Sequence, residues 1–315
     1  MSKIAFIYPG QGAQKAGMGV DFYENSEIAR YIFDQAGEEL DLDMKELCFE
    51  ENDRLDLTEY TQAAMVTTCL AMTRVAESKG LKADITAGLS LGEYPAIAAA
   101  GGMNDMDAIR LVRKRGILMQ NTVPAGEGAM CAVISMAAEE IEKVIEPIAD
   151  VSVANYNCPG QIVITGKTDA VEEAAAKLKE AGARRTIMLN VSGPFHSQML
   201  VPAGEKLAEE LEHTRFHELR IPYVTNVTVE KVTDIRETPG LLTTQISSPV
   251  RWMQSMERMI ADGVDTFVEI GPGKTLEGFL RKIDRSVKVF HISQWEDVDK
   301  VCTELADSGK MMEEA

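Results

Sequence analysis

An α/β fold, with a smaller unit set into a covered and mostly parallel sheet, follows from three features of the sequence. Short apolar runs alternate with helix-patterned segments toward both ends of the chain. Between residues 128 and 191 the order changes to β-α-β-β-α-β, the split βαβ or ferredoxin-like arrangement. Over 315 residues, 45% hydrophobic and 26% charged is the balance of a globular chain able to bury a sizeable core.

"KIAFIYPG" is a short apolar run stopped by Pro-Gly, hence a buried strand and a loop. "TQAAMVTTCLAMTRVAESKG" (61–80) has helical spacing and stops on a lysine and a glycine. "ADITAGLS" is a second short strand entering a turn, and 104–121 is an amphipathic helix opened by Asn104 with acids near its start. The inserted unit follows: strand 128–136, helix 137–148, strand "DVSVANYNCPG", strand 161–166, helix 168–182 and strand 184–191. It is expected over 126–192, flanked by a larger unit made of 1–125 and 193–315. That unit continues with helix "VPAGEKLAEELEHT", strand 221–227, helix 250–264, and strands within 266–273 and 286–292. Such strands read as parallel and buried on both faces. The end of the chain, "DSGKMMEEA", reads as a solvated tail.

A net charge of −18 argues against nucleic acid as a partner, because phosphates need a basic footprint. Cys48, Cys69, Cys131, Cys158 and Cys302 are odd in number, widely spaced and without C-x-x-C, which suits reduced thiols in the cytoplasm. The N-terminus lacks the apolar run of a signal peptide, and no run approaches the ~20 residues that span a bilayer, so no membrane partner is expected.

The chemistry-bearing stretch is Gly88-Leu-Ser-Leu-Gly92. G-x-S-x-G between a strand and a helix is the setting of a nucleophile elbow, which exposes the serine hydroxyl and aims helix N–H groups at a developing oxyanion. The alternative is an ordinary turn of small residues. Pro95 fits the following helix imperfectly, since a proline inside a helix removes a backbone bond. A nucleophilic Ser90 needs a base. Of four histidines, His196 lies past a strand and a Gly-Pro turn, where functional residues favour loops. His213 and His217 sit near a helix end with no third metal ligand suggested, and His291 lies inside a strand. "YPGQGAQKAGMG" (8–19) is glycine-rich but carries Lys15 where a dinucleotide fingerprint needs its last glycine. "EIGPGKT" carries Val268 where a P-loop needs its first. "RLVRKRG" (110–116) puts four cations on one helix. They form either a solvated face or a face that turns one arginine into a cleft to bind a carboxylate.

Together these motifs resemble a known family: the malonyl-CoA:acyl carrier protein transacylases of bacterial fatty-acid synthesis, with the related acyltransferase domains of polyketide synthases. "FIYPGQGAQKAGMG" is similar to the family's N-terminal oxyanion loop, "GLSLGEY" to its G-H-S-x-G-E elbow and "RLVRKRGILMQ" to its arginine helix. "NYNCPGQIVITG", "SGPFH", "VTNVTVE", "QISSPVRW" and "EIGPGKTL" follow in family order, so the resemblance spans about residues 4 to 292. It implies an α/β-hydrolase-like core with a ferredoxin-like insertion. It implies Ser90 as nucleophile, His196 as general base, and Gln245 orienting that histidine through its main-chain carbonyl. Gln11 and Leu91 would give the oxyanion N–H groups, and Arg115 would hold the malonyl carboxylate. Asn155 and Asn226 fall in motif segments without an assigned role. The family usually has histidine before the serine, whereas this chain has Leu89.

The activity so implied is malonyl transfer from malonyl-CoA to the phosphopantetheine thiol of acyl carrier protein, through a malonyl-serine ester. No cofactor is implied, malonyl-CoA being a substrate, and the family is commonly monomeric. An acidic carrier would need a local basic patch, for which Lys179, Arg184, Arg185, Arg281 and Lys282 are candidates. A stand-alone acyltransferase serving a polyketide synthase would share this chemistry. A serine hydrolase would fit Arg115 and the missing acidic triad member poorly, and a binding module would keep its function in Ser90→Ala.

Overall fold

The computed structural model describes residues 3–307, so residues 308–315 of the expected tail lie outside the described residues. The strands in chain order are β1 (Lys3–Tyr8), β2 (Ile85–Gly88), β3 (Gly128–Ile134), β4 (Val151–Cys158), β5 (Gln161–Lys167), β6 (Arg185–Met188), β7 (Tyr223–Val224), β8 (Lys231–Val232), β9 (Val264–Ile270) and β10 (Lys288–Ile292). They form a larger sheet in the order β10-β9-β1-β2-β7-β8 and a smaller one in the order β4-β5-β3-β6. The larger sheet is parallel apart from β8, and the smaller is antiparallel.

β1 explains why the larger sheet is covered on both faces. Ile4, Phe6 and Tyr8 point into one apolar cluster, Ala5 and Ile7 into another, the period of two expected of a strand. The first cluster includes the helix Thr58–Ser78, which is buried around most of its circumference beneath the helices Glu27–Leu40 and Asp105–Thr122. The smaller sheet builds its own core with the helices Ala138–Ile145 and Thr168–Glu180. It is tied to the larger unit through β4: Val250 N–H donates to the Ala154 oxygen at 2.8 Å, and Tyr156 N–H to the Val250 oxygen at 2.9 Å.

Three expectations need correcting. The strand expected over 221–227 is only Tyr223–Val224, because beyond it Asn226 bonds across to the elbow, its N–H to Glu93 and its Nδ2 to the Gly88 oxygen, while Val227 N–H turns back to Thr225 Oγ1. The strand expected over 184–191 is only Arg185–Met188, at the edge of its sheet. Pro95 costs no helical bond: the helix is Glu93–Ala99, so Pro95 sits in its first turn, where N–H groups have no intrahelical acceptor.

Candidate active site

β1 and β2 pair with Tyr8 beside Gly88, so the loops leaving both strands open at the same edge of the sheet. Ligands collect at such carboxyl ends of parallel strands. After β2 the chain makes one 3₁₀ turn, Ser90–Gly92, before the helix Glu93–Ala99. Ser90 has φ +54, left-handed backbone that a non-glycine residue adopts at a cost. The flanking glycines permit the turn. A Cβ on Gly88 would stand 1.8 Å from the Gly92 oxygen, and one on Gly92 would stand 2.4 Å from the Tyr8 oxygen.

The Ser90 hydroxyl lies 2.8 Å from Nε2 of His196, whose Nδ1 lies 3.0 Å from the main-chain oxygen of Gln245. A carbonyl only accepts, so Nδ1 carries the proton and Nε2 is left to accept from the serine. His196 is buried, with φ +62. Burial, then the nearby Arg115 cation, pushes its pKa down to about 4, so the imidazole is neutral near pH 7.

Arg115, on the helix Asp105–Thr122, is 1% exposed. Its Nη2 donates to Ser90 Oγ at 3.1 Å and to Gln245 Oε1 at 2.8 Å, and Nη1 to Gln62 Oε1 at 2.7 Å. Its Nε has no hydrogen-bond partner among the described residues. A guanidinium buried beside a nucleophile, hydrogen-bonded to neutral amides and a hydroxyl and lying over the Tyr94 ring, is prepared for an anion.

Gln11 and Leu91 line the same cavity of about 260 Å³ as Ser90, Arg115 and His196. The Gln11 side chain is turned away to Thr58 Oγ1, 3.0 Å distant. Asn155, on β4, also lines this cavity. Leu89 is half-buried on the wall and packs against the apolar cluster behind β2. The structure thus brings Ser90, His196, Gln245, Arg115, Gln11 and Leu91 to one place. It leaves His213, His217 and His291 out of that cavity. His291 instead lies 3.3 Å from Glu277. Among the described residues no group of three or more His, Cys, Asp or Glu side chains could hold a metal. The exposed cations named above fall in two places. Lys179, Arg184 and Arg185 lie in the smaller unit, and Arg281 and Lys282 at the end of the helix Thr275–Ile283.

Three participants carried no assignment in the sequence. Asn226 accepts the Ser90 N–H on Oδ1 at 2.7 Å and donates Nδ2 to the Gly88 oxygen at 2.7 Å, bracing the strained turn from both sides. Glu93, inside the quoted elbow motif, is fully buried and accepts from Gln245 Nε2 at 2.7 Å. Gln62 holds Arg115 from within an apolar helix, where nothing in the local pattern marks it.

A nucleophile, a neutral base and a buried cation around one cavity describe an acyl-transferring serine enzyme that reads a charged acyl group. The family model described as acyl transferase domain matches residues 5–298, and the chain belongs to that family. It is 44% identical over 304 residues to the malonyl CoA-acyl carrier protein transacylase of Bacillus subtilis (strain 168), covering 95% of this chain and 96% of the relative. Its fold matches the malonyl CoA-acyl carrier protein transacylase of Clostridium perfringens with a TM-score of 0.94 at 42% identity, covering 98% of each chain. A malonyl-transacylase solved in complex with its type II PKS acyl-carrier protein matches with a TM-score of 0.93 at 35% identity, covering 96% of this chain and all of that one.

Proposed function

We propose that this chain is a malonyl-CoA:acyl carrier protein transacylase that supplies malonyl groups for fatty-acid elongation. The observation that carries the reading is the contact of one hydroxyl, Ser90 Oγ, with both His196 Nε2 and Arg115 Nη2. The first contact makes a nucleophile. The second places a buried cation where the far carboxylate of a short dicarboxylic acyl group would lie.

Ser90 Oγ attacks the thioester carbonyl of malonyl-CoA and its proton passes to His196 Nε2. The oxyanion rests on the backbone N–H groups of Gln11 and Leu91. The imidazolium is stabilised by the Gln245 main-chain oxygen at Nδ1. The carbon–sulfur bond breaks, coenzyme A leaves with the proton from His196, and malonyl remains as an ester on Ser90. The phosphopantetheine thiol of the carrier then attacks that ester while His196 takes the thiol proton, and Ser90 recovers it as the ester breaks. Arg115 exchanges its bond to Ser90 Oγ for a bidentate pair with the malonyl carboxylate, so an uncharged acyl group leaves a buried cation unpaired. A side-chain carboxylate is absent from the histidine's support, which makes this a Ser-His dyad.

The chain acts as a monomer without a cofactor, with residues 126–192 as a smaller subdomain over the core formed by 1–125 and 193–315. Four of its five free cysteines are buried, which supports a reducing, cytoplasmic setting. Lys179, Arg184, Arg185, Arg281 and Lys282 are exposed cations that would meet an acidic carrier, Arg281 from a pair with Glu277.

Intact-protein mass after brief mixing with malonyl-CoA or acetyl-CoA tests the reading. A malonyl adduct on wild type, little acetyl adduct and none on Ser90→Ala are expected. No adduct from either thioester overturns the transfer, and release of free coenzyme A without an adduct points to hydrolysis.

A further inference from the structure

Glu93 is the third residue after Ser90 and is fully buried at the start of the helix Glu93–Ala99. A buried carboxylate persists only with partners. Oε2 takes two, the Gln245 carboxamide at 2.7 Å and the Asn226 main-chain N–H at 3.2 Å, while Oε1 has no hydrogen-bond partner among the described residues. Burial pushes its pKa up to about 7, against the lowering effect of those two donors, of the Thr225 hydroxyl and of the nearby Arg115 cation.

The Gln245 carboxamide lies between two groups of opposite bonding character. Its oxygen accepts from Arg115, which can only donate, and its nitrogen donates to Glu93 and to the Ser90 oxygen at 3.0 Å. Rotating the amide by half a turn would set N–H against guanidinium and oxygen against carboxylate. The carboxylate therefore selects the orientation that leaves an acceptor on Arg115.

We propose that Glu93 is a positioning residue for acyl transfer: by anchoring the nitrogen of the Gln245 carboxamide it sets that amide's oxygen on Arg115 and so holds the guanidinium where the substrate carboxylate meets it. This rests on the reading of the site given above. It assigns to the last residue of the elbow motif a task in acyl selection, not merely in folding.

Two substitutions separate reach from charge. Glu93→Gln keeps an oxygen within reach of the Gln245 nitrogen and removes the charge. Glu93→Asp keeps the charge and withdraws it by about 1.5 Å. The measurement is kcat and KM with malonyl-CoA and acetyl-CoA, with intact mass reporting adduct on Ser90. Glu93→Asp is expected to raise KM for malonyl-CoA and lower the malonyl-over-acetyl preference by about tenfold or more, with acetyl-CoA turnover little changed. Glu93→Gln is expected within about threefold of wild type. Gln245→Ala, which removes the same amide, also lowers the malonyl-over-acetyl preference, and Glu93→Asp lowers that preference no further in the double variant. Equal losses on both thioesters at unchanged KM overturn the proposal, as does retention by Asp with loss by Gln, or independent losses in the double variant. Absence of any adduct on wild type instead overturns the reading of the site, and the proposal with it.

Discussion

His196 is oriented by a peptide carbonyl: its Nδ1 lies 3.0 Å from the main-chain oxygen of Gln245, and no carboxylate takes that place. A main-chain acceptor survives substitution of its own side chain. Gln245→Ala should therefore keep the imidazole in place while losing the bonds to Arg115, Glu93 and the Ser90 oxygen. Malonyl transfer is expected to fall by about tenfold to a hundredfold, against about a thousandfold or more for His196→Ala. Steady-state kinetics of both variants beside wild type checks the order; equal losses would mean that the side chain, not the carbonyl, orients the base.

The buried histidine also sets a pH dependence. An unfolded chain takes a proton at this imidazole near pH 6.5, whereas the folded protein resists until about 4. The contribution to stability is thus complete above about 6.5 and is lost as pH falls toward 4, at about 1.4 kcal/mol per unit. Chemical denaturation at pH 7 and pH 5 should show wild type losing about 2 kcal/mol more than His196→Asn. That comparison cancels the buried carboxyls Glu93 and Glu269. Their pKa values are raised to about 7, so they act in the opposite sense. The same shift places the acid limb of kcat/KM for malonyl-CoA near pH 4 rather than 6.5. A limb at 6.5 would show that the imidazole is solvated in the working enzyme.

The two glycines of the elbow differ physically from other glycines of the chain. Gly92→Ala drives a Cβ to 2.4 Å from the Tyr8 oxygen, a backbone atom of the central strand that cannot swing aside. Gly240 and Gly278 lie in helices with nothing within 4 Å of an added Cβ. Alanine there should stabilise by about 0.5–1 kcal/mol each, while Gly92→Ala should abolish transfer or folding. Thermal melts and adduct formation on the three variants make the comparison; a functional Gly92→Ala would mean that the turn can open.

Much of this architecture is legible in the sequence because the signals are local. Runs such as "KIAFIY" and the change of pattern at residue 128 mark the two sheets, and G-x-S-x-G marks the turn. The helices Val20–Asn25, Glu27–Leu40 and Met44–Phe49 went unread although Ser26 and Asp43 cap two of them, since their short apolar stripes are crowded by charge. Arg115 shows why one helix face needs a structure to read. Of four cations within 110–115 it alone is fully buried, and the spacing leaves that choice open. Asn226, Glu93 and Gln62 act through partners more than 50 residues away, a relation that no local pattern expresses.

Asn226 is the sharpest case, because it grips the strained residue itself. Its Oδ1 takes the N–H of Ser90 and its Nδ2 gives to the oxygen of Gly88, so one amide spans the turn between them. Asn226→Asp preserves size and shape but sets a second acceptor against the Gly88 oxygen. Asn226→Ala leaves both groups of the turn without that partner inside a buried site. Either change removes about 1–3 kcal/mol of support from the backbone of a left-handed serine. The Ser90 hydroxyl should then lose its alignment with His196 before the fold is lost. The expected result is a fall of about tenfold or more in the rate of adduct formation from malonyl-CoA and acetyl-CoA alike. That pattern separates Asn226 from Arg115→Met, which should cost malonyl about a hundredfold while sparing acetyl. Rapid-quench mass measurement with both thioesters on the three variants decides it. A selective loss in Asn226→Asp would mean that its partner is the acyl-reading cation and not the nucleophile.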